Sequence, residues 1–244
     1  MNDVISLLLS HVSVRKYEEK NITREFKDLI IKCAQMAPTS SHFQLYSIIE
    51  IVDKNKREIL ADIAGGQEWL IKAPLVLLFC GDLYRGQKYF EDINKEVLSN
   101  TEFYTTAAVD TALAAQKALI AAQSLGLGGV FVGGIRNDVE KVAKEFRLPK
   151  MVFPLFALCI GYPKDIPDLK PRLPKEVVHK IDFYDVSKDD ELIEQYNQTV
   201  KEYYAKRTHG KIQDRWTQRC GRALMDKTRD DVGYFLRKIG LLER

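Results

Sequence analysis

The stretch "TTAAVDTALAAQKALIAAQSLGLGGVFVGG" (105–134) carries the clearest indication of the fold. Its first two thirds are dense in alanine and apolar on nearly every face. Such a pattern predicts a long helix that is buried on all sides, in a central position or at a subunit interface. The stretch then passes through glycines into a short strand, "GVFV", and the pair Gly133-Gly134. A long apolar helix followed directly by a strand is therefore expected, either at the centre of the molecule or at a subunit interface.

Three further stretches predict strands, because they are short, rich in branched residues and bounded by breakers. They are "YSIIEIV" (46–52), "PLVLLFCG" (74–81) and "FPLFALCIGYP" (153–163). Helices are predicted between them from apolar periodicity and end signals. They cover the N-terminal run after Asn2 or Asp3, residues 26–37 up to Pro38, "NKREILADIAGG" (55–66) closed by Gly65, and "NDVEKVAKEF" (137–146), where Asn137 and Glu140 have capping-box spacing.

The order of these elements favours a mixed α+β layer structure, because several connections are too irregular for a doubly wound sheet. No G-x-G-x-x-G follows the first strand and no P-loop motif occurs, which argues against a Rossmann fold and a P-loop fold. Near residue 164 the chain becomes proline-rich, and charged helices follow. We expect residues 1–163 to form an α+β core, and residues 164–244 to be an extended segment and helical excursion of the same domain.

Composition narrows the classes of function. The chain has 244 residues, of which 45% are hydrophobic, as expected for a folded protein with one ample core. A net charge of +3 argues against a dedicated nucleic-acid binder, although basic residues predominate from Lys201 to Arg229. No apolar run is long enough to span a bilayer, and the N-terminus lacks a signal-peptide pattern. We expect a cytoplasmic protein with no nucleic-acid or membrane partner.

The cysteines and histidines do not form metal-ligand motifs. The four cysteines contain no C-x-x-C pair, and the four histidines are scattered, so no metal site is expected. Most of the cysteines lie in apolar stretches, which predicts reduced, buried packing residues.

Five separated stretches share one chemical character. They are "HVSVR" (11–15), "PTSSHFQ" (38–44), "GGQEW" (65–69), "VFVGG" (130–134) and "LKPRLP" (169–174). Each lies at the boundary of a predicted element, and together they offer cations and hydroxyls for a phosphate, glycines for close backbone approach, and amides for a planar heterocycle. On residue types alone, polar turns and solvated loops remain an alternative for each stretch.

Motifs along nearly the whole chain resemble the FMN-dependent nitroreductases, in particular the oxygen-insensitive NADPH nitroreductases and NADPH:flavin oxidoreductases. They occur in the order typical of the family. They are "HVSVRKY" (11–17), "SSHFQLYSII" (40–49), "SLGLGGVFVGGIRNDVEKV" (124–142), "FPLFALCIGYP" (153–163), "KPRLP" (170–174) and "EYYAKRTHGKIQDRW" (202–216). The resemblance implies a largely antiparallel central sheet flanked by helices, and a homodimer in which the C-terminal excursion packs on the core and on the partner.

The resemblance also implies an FMN site. It places His11, Ser13, Lys170 and Arg172 around the flavin phosphate and Arg15 at the pyrimidine end of the ring. Gln67 is implied to hydrogen-bond the ring, with Trp69 nearby and residues 131–134 along the flavin; Ser40 and Ser41 are expected from the second subunit. The implied cofactor-binding set is His11, Val12, Ser13, Val14, Arg15, Thr39, Ser40, Ser41, Gln67, Trp69, Phe131, Val132, Gly133, Gly134, Lys170 and Arg172.

Three positions depart from the family pattern. Val12 replaces a basic residue, which removes any contact made by that side chain, and Thr39 replaces a commoner serine but keeps the hydroxyl. In the segment that relatives use to bind the NADPH 2′-phosphate, Arg207 matches one arginine, whereas Ile212 stands where the second is expected. Lys211 beside it offers a point charge without the bidentate fork of arginine. A solvated basic helix end remains the alternative for this segment.

The implied activity is a ping-pong reduction in which NADPH, with NADH as a possible donor, gives hydride to flavin N5. A nitroaromatic, quinone or free flavin then takes two electrons from the same face. No side chain acts as a catalytic acid or base, because the redox chemistry belongs to the cofactor. Two alternatives stay open: a flavin enzyme with another acceptor, such as a disulfide or azo compound, and a non-catalytic flavin- or nucleic-acid-binding module. The sequence does not identify the physiological acceptor.

Overall fold

The computed structural model describes residues 2–243; residues 1 and 244, the outer limits of the two predicted segments, lie outside it. Within this range one four-stranded sheet has the order β1-β2-β4-β3, and each neighbouring pair of strands is antiparallel. The strands are β1 (Tyr46–Glu50), β2 (Leu75–Asp82), β3 (Gly128–Val132) and β4 (Val152–Gly161). The predicted α+β class and each predicted strand are confirmed, with ends that differ by one or two residues, as is usual for strand ends.

Helices precede, separate and follow the strands along the chain, and several begin at residues whose side chains cap them. They are α1 (Asp3–Leu9), α2 (Arg24–Gln35), α3 (Lys54–Ile63), α4 (Trp69–Lys72), α5 (Tyr84–Tyr89), α6 (Thr101–Ser124), α7 (Val139–Glu145), α8 (Lys175–Val178), α9 (Asp189–Arg207), α10 (Trp216–Met225) and α11 (Asp231–Lys238). Asn2 caps α1 as predicted. The capping box at Asn137 is wrong, because Asp138 accepts the bond from the Lys141 amide and the Asn137 side chain bonds the Ile63 carbonyl instead.

The central strand β2 is buried on both faces because its side chains alternate between two cores. Leu75, Leu77 and Phe79 pack on one side with residues of α2 and α6. Val76, Leu78 and Cys80 pack on the other side with residues of α3 and α4. The sheet is therefore covered by helices on both faces, as predicted for a layered α+β protein.

Helix α6 is only partly buried within one chain. Alanines and Thr111 form its inner face, where the Thr111 hydroxyl lies 2.6 Å from the Ala107 carbonyl and 3.4 Å from the Cys80 carbonyl of β2. Its outer face exposes Val109 (51%) and Leu113 (41%). Within one chain the helix is thus not buried on all sides, and the predicted alternative, burial at a subunit interface, stays a prediction.

All four cysteines are free, but their burial differs from the prediction. Cys80 and Cys159 are buried in the sheet, where desolvation raises the pKa of both thiols, that of Cys159 to about 12. Cys33 is exposed on α2, because Ile30 and Ala34 form the buried side of that helix. The prediction is therefore correct for the sheet cysteines and wrong for Cys33.

The chain divides into two compact units. The first extends to Pro167 and resumes at Arg229, so it contains the sheet and α11; the second is Asp168–Thr228. In the second unit, Tyr196, Val200 and Tyr204 of α9 form a small core with neighbours that include Ile212 and Trp216. Among the described residues, no helix combines the length and apolar character needed to cross a membrane.

Candidate functional site

The segment His11–Arg15 extends the sheet beside β3. The Val14 amide donates to the Gly129 carbonyl at 3.0 Å, and Ser13 forms a parallel bridge with Gly129. Val14 is buried against Gly128, where an added Cβ would approach the Val14 Cγ2 to 2.5 Å. Because side chains alternate along an extended segment, Val12 and Val14 serve the core while Ser13 and Arg15 point to the other side. The glycines at the start of β3 thus permit the close approach of this segment.

Tyr17 fixes the end of the same segment. Its hydroxyl lies 2.9 Å from the Val14 carbonyl and 3.2 Å from the Cys159 carbonyl. Burial, and secondarily the neighbouring Cys159, raises the pKa of Tyr17, so the phenol stays protonated and remains a hydrogen-bond donor. The segment is therefore held by backbone bonds on one side and by a buried phenol at its end.

Arg15 meets "GGQEW" across the site. Its guanidinium carbon lies 5.6 Å from the centre of the Trp69 ring, within cation–π range, and its Nη1 lies 3.4 Å from the Ser13 carbonyl. The indole Nε1 of Trp69 is buried and, among the described residues, has no hydrogen-bond partner. A buried donor without a partner costs about 1–3 kcal/mol, so it is a point at which a bound molecule can add a bond.

The position of Gln67 and Trp69 follows from how α3 ends. Gly65 and Gly66 both have left-handed φ angles, +79° and +77°, which only glycine adopts without penalty. The Gly66 amide donates to the Ala61 carbonyl at 2.8 Å and reverses the chain, after which α4 starts at Trp69. The glycine pair thus turns Gln67 and Trp69 back toward the sheet.

The end of β3 also borders this site, where Gly134 lies against Gln67 and Ala64. A Cβ on Gly134 would lie 2.9 Å from the Gln67 Nε2 and 3.1 Å from the Ala64 Cα, so this position accepts only glycine without rearrangement. Gly133 starts a 3₁₀ turn, Gly133–Asp138, and Val132 is buried. Phe131 is 37% exposed and packs edge-on against Phe156 at 5.3 Å. The structure therefore brings residues 11–15, 65–69 and 130–134 together.

His11 is tied to the end of α6. The Gln123 Nε2 lies 3.1 Å from the His11 Nδ1, so Gln123 helps to orient the imidazole. Gln123 is a site neighbour that sequence reasoning missed, since nothing distinguishes it from the other polar residues in the last turn of a helix.

Thr39, Ser40 and Ser41 lie elsewhere in the unit, in a strained loop. Ser41, His42 and Gln44 have left-handed φ angles of 45°, 58° and 54°. Asp110 of α6 holds this loop. The residue is only 1% exposed, and its two carboxylate oxygens accept hydrogen bonds from the Ser40 and Leu45 amides at 3.1 Å each. Sequence reasoning missed Asp110, although it is the lone charged residue between Glu102 and Lys117 in an otherwise apolar stretch.

A cavity of about 400 Å³ lies beside this loop on the outer face of α6. Thr39 and Ser40 line one side, and Val109, Asp110 and Leu113 line the other. Residues 39–44, here called the serine loop, therefore border a shallow, mainly apolar depression.

The remaining predicted residues belong to the second unit. Lys170 lies with its Nζ 5.6 Å from the centre of the Tyr204 ring, and the Arg172 Nη1 donates to the Lys170 carbonyl at 2.6 Å. The Arg207 Nη1 is 3.0 Å from the Tyr203 hydroxyl. These three residues and Lys211 are exposed.

The residues of the first unit fit a flavin by the chemistry of their donors. Ser13 and His11 offer hydrogen bonds, Arg15 a fixed cation, Gln67 an amide and Trp69 an unpaired N–H, beside a glycine-bounded backbone. A planar, electron-accepting heterocycle with an anionic arm needs such a set. Among residues 2–243, no group of three or more His, Cys, Asp or Glu side chains is arranged to hold a metal ion.

Comparison with known proteins gives matches over almost the entire chain. Residues 8–162 match the model of the nitroreductase family, and residues 170–244 match the model of its C-terminal domain. The chain is 39% identical to an oxygen-insensitive NADPH nitroreductase of Salmonella typhimurium, covering 100% of both chains, and 38% identical to an FMN reductase (NADPH) of Bacillus subtilis, covering 98% of both. A solved nitroreductase structure from Bacillus subtilis superposes with a TM-score of 0.96 at 37% identity, covering 99% of this chain and 100% of the other.

Proposed function

This chain belongs to the nitroreductase family, and on that premise we propose how its residues serve the reaction. The protein is an FMN-dependent NAD(P)H oxidoreductase. The observation that carries the assignment to a site is the convergence of three separated segments: Arg15 over Trp69, Ser13 beside Gly129, and Gln67 against Gly134.

Bound FMN supplies the redox chemistry, accepting two electrons from the nicotinamide cofactor and passing them to a second substrate in a separate half-reaction. Arg15 is proposed to stabilise the negative charge that reduction creates at the pyrimidine end of the ring. Gln67 and the backbone of residues 131–134 are proposed to orient the ring. His11 and Ser13, together with Lys170 and Arg172, are proposed as phosphate ligands, because a phosphate needs fixed cationic and hydroxyl donors.

Purification tests the assignment directly. The expected product is a yellow protein whose released chromophore has the mass of FMN and which NADPH bleaches under anaerobic conditions. Arg15→Ala, Gln67→Ala and Trp69→Leu should each weaken FMN retention. A colourless protein that takes up no FMN and oxidises no NADPH would instead favour the binding-module alternative.

The second substrate is proposed to be a nitroaromatic, a quinone or free flavin. Phe131 is partly exposed at the end of β3, and an exposed aromatic ring beside the proposed flavin site supports planar acceptors. Turnover across nitro compounds, quinones, free FMN, disulfides and azo compounds would rank the acceptors. A preference for disulfides or azo compounds by more than tenfold in kcat/KM would replace this proposal with the alternative acceptor class.

A homodimer is proposed as the active form, working in the cytoplasm. Helix α1 buries none of its residues and exposes Val4, Ile5, Leu8 and Leu9, while α6 exposes Val109 and Leu113 beside the serine loop. Exposed apolar side chains in such number are typical of subunit interfaces. In the proposed dimer, Ser40 and Ser41 would serve the flavin of the second copy. The four free cysteines agree with a reducing compartment.

Preference for NADPH over NADH is proposed to depend on Arg207. Ile212 packs against the apolar core of the second unit and supplies no charge, so Arg207 is proposed to act without a second arginine, with Lys211 as a weaker point charge beside it. Loss of one charge-assisted contact costs about 1.5–3 kcal/mol. Arg207→Ala should raise the KM for NADPH about tenfold or more and leave that for NADH nearly unchanged. Lys206→Ala is the matched control, because Lys206 is exposed on the same helical turn; equal effects of Arg207→Ala on both nucleotides would assign Arg207 to a solvated helix end.

A further inference from the structure

One arginine of α5 bonds to the end of the serine loop. The Arg85 Nη1 donates to the Gln44 and Tyr46 carbonyls at 3.1 and 3.3 Å. The Nη2 donates to the Ser47 hydroxyl at 2.9 Å and to the Asp82 carboxylate at 3.1 Å. A single guanidinium therefore joins the last residue of the loop, the first two residues of β1 and the last residue of β2.

Asp82 holds this guanidinium in place. The residue is 6% exposed, its Oδ1 accepts from the Arg85 amide at 3.1 Å, and its Oδ2 accepts from the Ser47 hydroxyl at 2.5 Å. Charge-assisted bonds of this kind are stronger than bonds between neutral groups. Because the Arg85 side chain itself is 46% exposed, its position depends on these bonds and not on burial.

Arg85 and Asp110 bond to the two sides of one peptide group. The Gln44 carbonyl and the Leu45 amide belong to the same planar unit. Arg85 donates to that carbonyl, and the Asp110 Oδ2 accepts from that amide at 3.1 Å. A cation on one side and an anion on the other therefore fix the plane, which cannot rotate without breaking a charge-assisted bond on each side.

The fixed peptide ends a strained stretch of backbone. Gln44 has a φ angle of 54°, and Ser41 and His42 before it are also left-handed. Such conformations are costly for residues other than glycine and persist only where surrounding bonds enforce them. The bonds to the Gln44 carbonyl and the Leu45 amide are of this enforcing kind.

The register of the sheet is set without Arg85. Tyr46 pairs with Gly81 in the ladder between β1 and β2, and the Asp82 amide donates to the Leu45 carbonyl at 2.9 Å. Backbone bonds thus already align the two strands. The bond from Arg85 to the loop carbonyl therefore serves the conformation of the loop.

We propose that Arg85 is a positioning residue for the flavin site of the second copy. It fixes the Gln44–Leu45 peptide and, with it, the turn that presents Ser40 and Ser41. The inference rests on the proposed function, in which the serine loop of one copy serves the flavin of the other in a homodimer. Arg85 lies outside every motif quoted above, and it acts through the loop.

Two variants and a control measure this contribution. Arg85→Met removes the donors, and Arg85→Lys keeps the charge on one ammonium that cannot reach all four acceptors. Lys88→Met is the matched control, because Lys88 lies one turn further along α5 and its ammonium contacts the rings of Tyr84 and Tyr89. On dilution, followed by flavin fluorescence, Arg85→Met should release FMN about tenfold faster than wild type. Arg85→Lys should recover part of this loss, and Lys88→Met should stay within about twofold of wild type.

A mixed dimer separates positioning from a general loss of stability. It pairs an Arg15→Ala chain with an Arg85→Met chain, purified through two different tags and assayed at an FMN concentration that leaves both variant homodimers mostly unloaded. If Arg85 acts on the site of the other copy, one site carries both substitutions and the other carries neither. The mixed dimer should then bind FMN at one site and oxidise NADPH at about half the wild-type rate. If Arg85→Met is too unstable to purify, Arg85→Lys takes its place in the same pair.

The proposal is overturned if Arg85→Met releases FMN at the wild-type rate, or if Lys88→Met speeds release equally. It is also overturned if the mixed dimer is no faster than the mean of the two variant homodimers, because each site then carries one substitution and Arg85 acts within its own chain. Wild-type protein that retains no FMN, or that is active as a monomer, would overturn the proposed function and the inference with it. Once wild type is shown to be a dimer with bound FMN, the mixed dimer tests Arg85 alone.

Discussion

The polar segments after α1 and α2 are held in opposite ways. Residues 11–15 follow α1 as extended chain and are paired by backbone bonds with the start of β3. Residues 39–44 follow α2 as a loop with left-handed residues; Asp110 accepts bonds from amides at both of its ends, and Arg85 donates to the Gln44 carbonyl. The first segment is therefore part of the sheet of its own chain, whereas the loop is a separately supported feature beside exposed apolar surface.

The two segments also differ in backbone strain and in the surface that each one faces. A non-glycine residue in the left-handed region costs about 1–2 kcal/mol, and the loop contains several. Such strain persists only where surrounding bonds enforce it, and it is common at ligand-binding positions. The segment beside β3 meets Trp69 within its own chain, while the loop presents Thr39 and Ser40 to a depression on α6. In the proposed dimer, the loop is therefore the part that would serve a second copy.

Leu113→Glu should have the largest effect and tests whether a second copy covers the loop. An uncompensated charge forced into an apolar interface costs about 3–5 kcal/mol, enough to dissociate a dimer at micromolar concentration. Sedimentation should show a monomer that has lost its flavin. Val52→Glu is the control, because Val52 is an exposed apolar residue outside α6 and α1. A wild-type protein that sediments as a flavin-loaded, active monomer would contradict the proposal that the loop serves a second copy while residues 11–15 serve their own chain.

Asp110→Ala should break the loop while leaving the segment beside β3 intact. Two amides, one of them buried, lose their acceptor, so the free energy of unfolding should fall by about 2–4 kcal/mol. FMN retention should fall further than this loss of stability explains. Chemical denaturation and FMN release measure the two effects separately. Glu102→Gln, at the rim of the same cavity, should change neither; normal flavin retention in a destabilised Asp110→Ala would confine Asp110 to a structural role.

Arg15→Ala tests the segment beside β3 and leaves the loop of residues 39–44 unchanged. Loss of the cation should weaken FMN binding by about 1.5–3 kcal/mol. Because the reduced flavin loses more stabilisation than the oxidised form, the potential of the bound flavin should fall, by about 30 mV for each 1.4 kcal/mol of that difference. Lys16→Ala is the control, since Lys16 pairs with exposed Asp165. An unchanged potential and unchanged retention would remove Arg15 from the site.

Much of the fold was accessible from the sequence because each strand is marked locally. Short runs of branched residues between breakers gave β1 to β4, and helical periodicity gave α2 and α3. The pairing of residues 11–15 with β3 was not accessible, since it joins positions more than a hundred residues apart through backbone bonds that leave no side-chain pattern. The sequence also left open whether α6 is covered by its own chain or by a subunit, because alanine-rich helices look uniformly apolar in either case.

In the candidate site as well, residues within motifs were predictable from the sequence and a residue outside them was not. Arg15, Gln67 and Trp69 were identified through motifs, and the structure shows their mutual contacts. Asp110 was missed because it holds the loop of residues 39–44 through backbone amides and belongs to no motif. Its only signal was an isolated charge within an apolar helix, a pattern that indicates a buried partner and is visible without any structure.

The smallest effect is expected from substitutions of Trp69, which separate the contribution of its ring face under Arg15 from that of its Nε1 donor. Trp69→Phe keeps an aromatic face under the guanidinium and removes the unpaired Nε1, so the free energy of unfolding should change by less than about 1 kcal/mol. Trp69→Leu removes the face as well. Because an exposed cation–π contact is worth about 0.5–1 kcal/mol, FMN release from Trp69→Leu should be about two- to fivefold faster than from Trp69→Phe. If the two variants release FMN at the same rate and both faster than wild type, the Nε1 bond to the ligand, and not the stack on Arg15, is what Trp69 contributes.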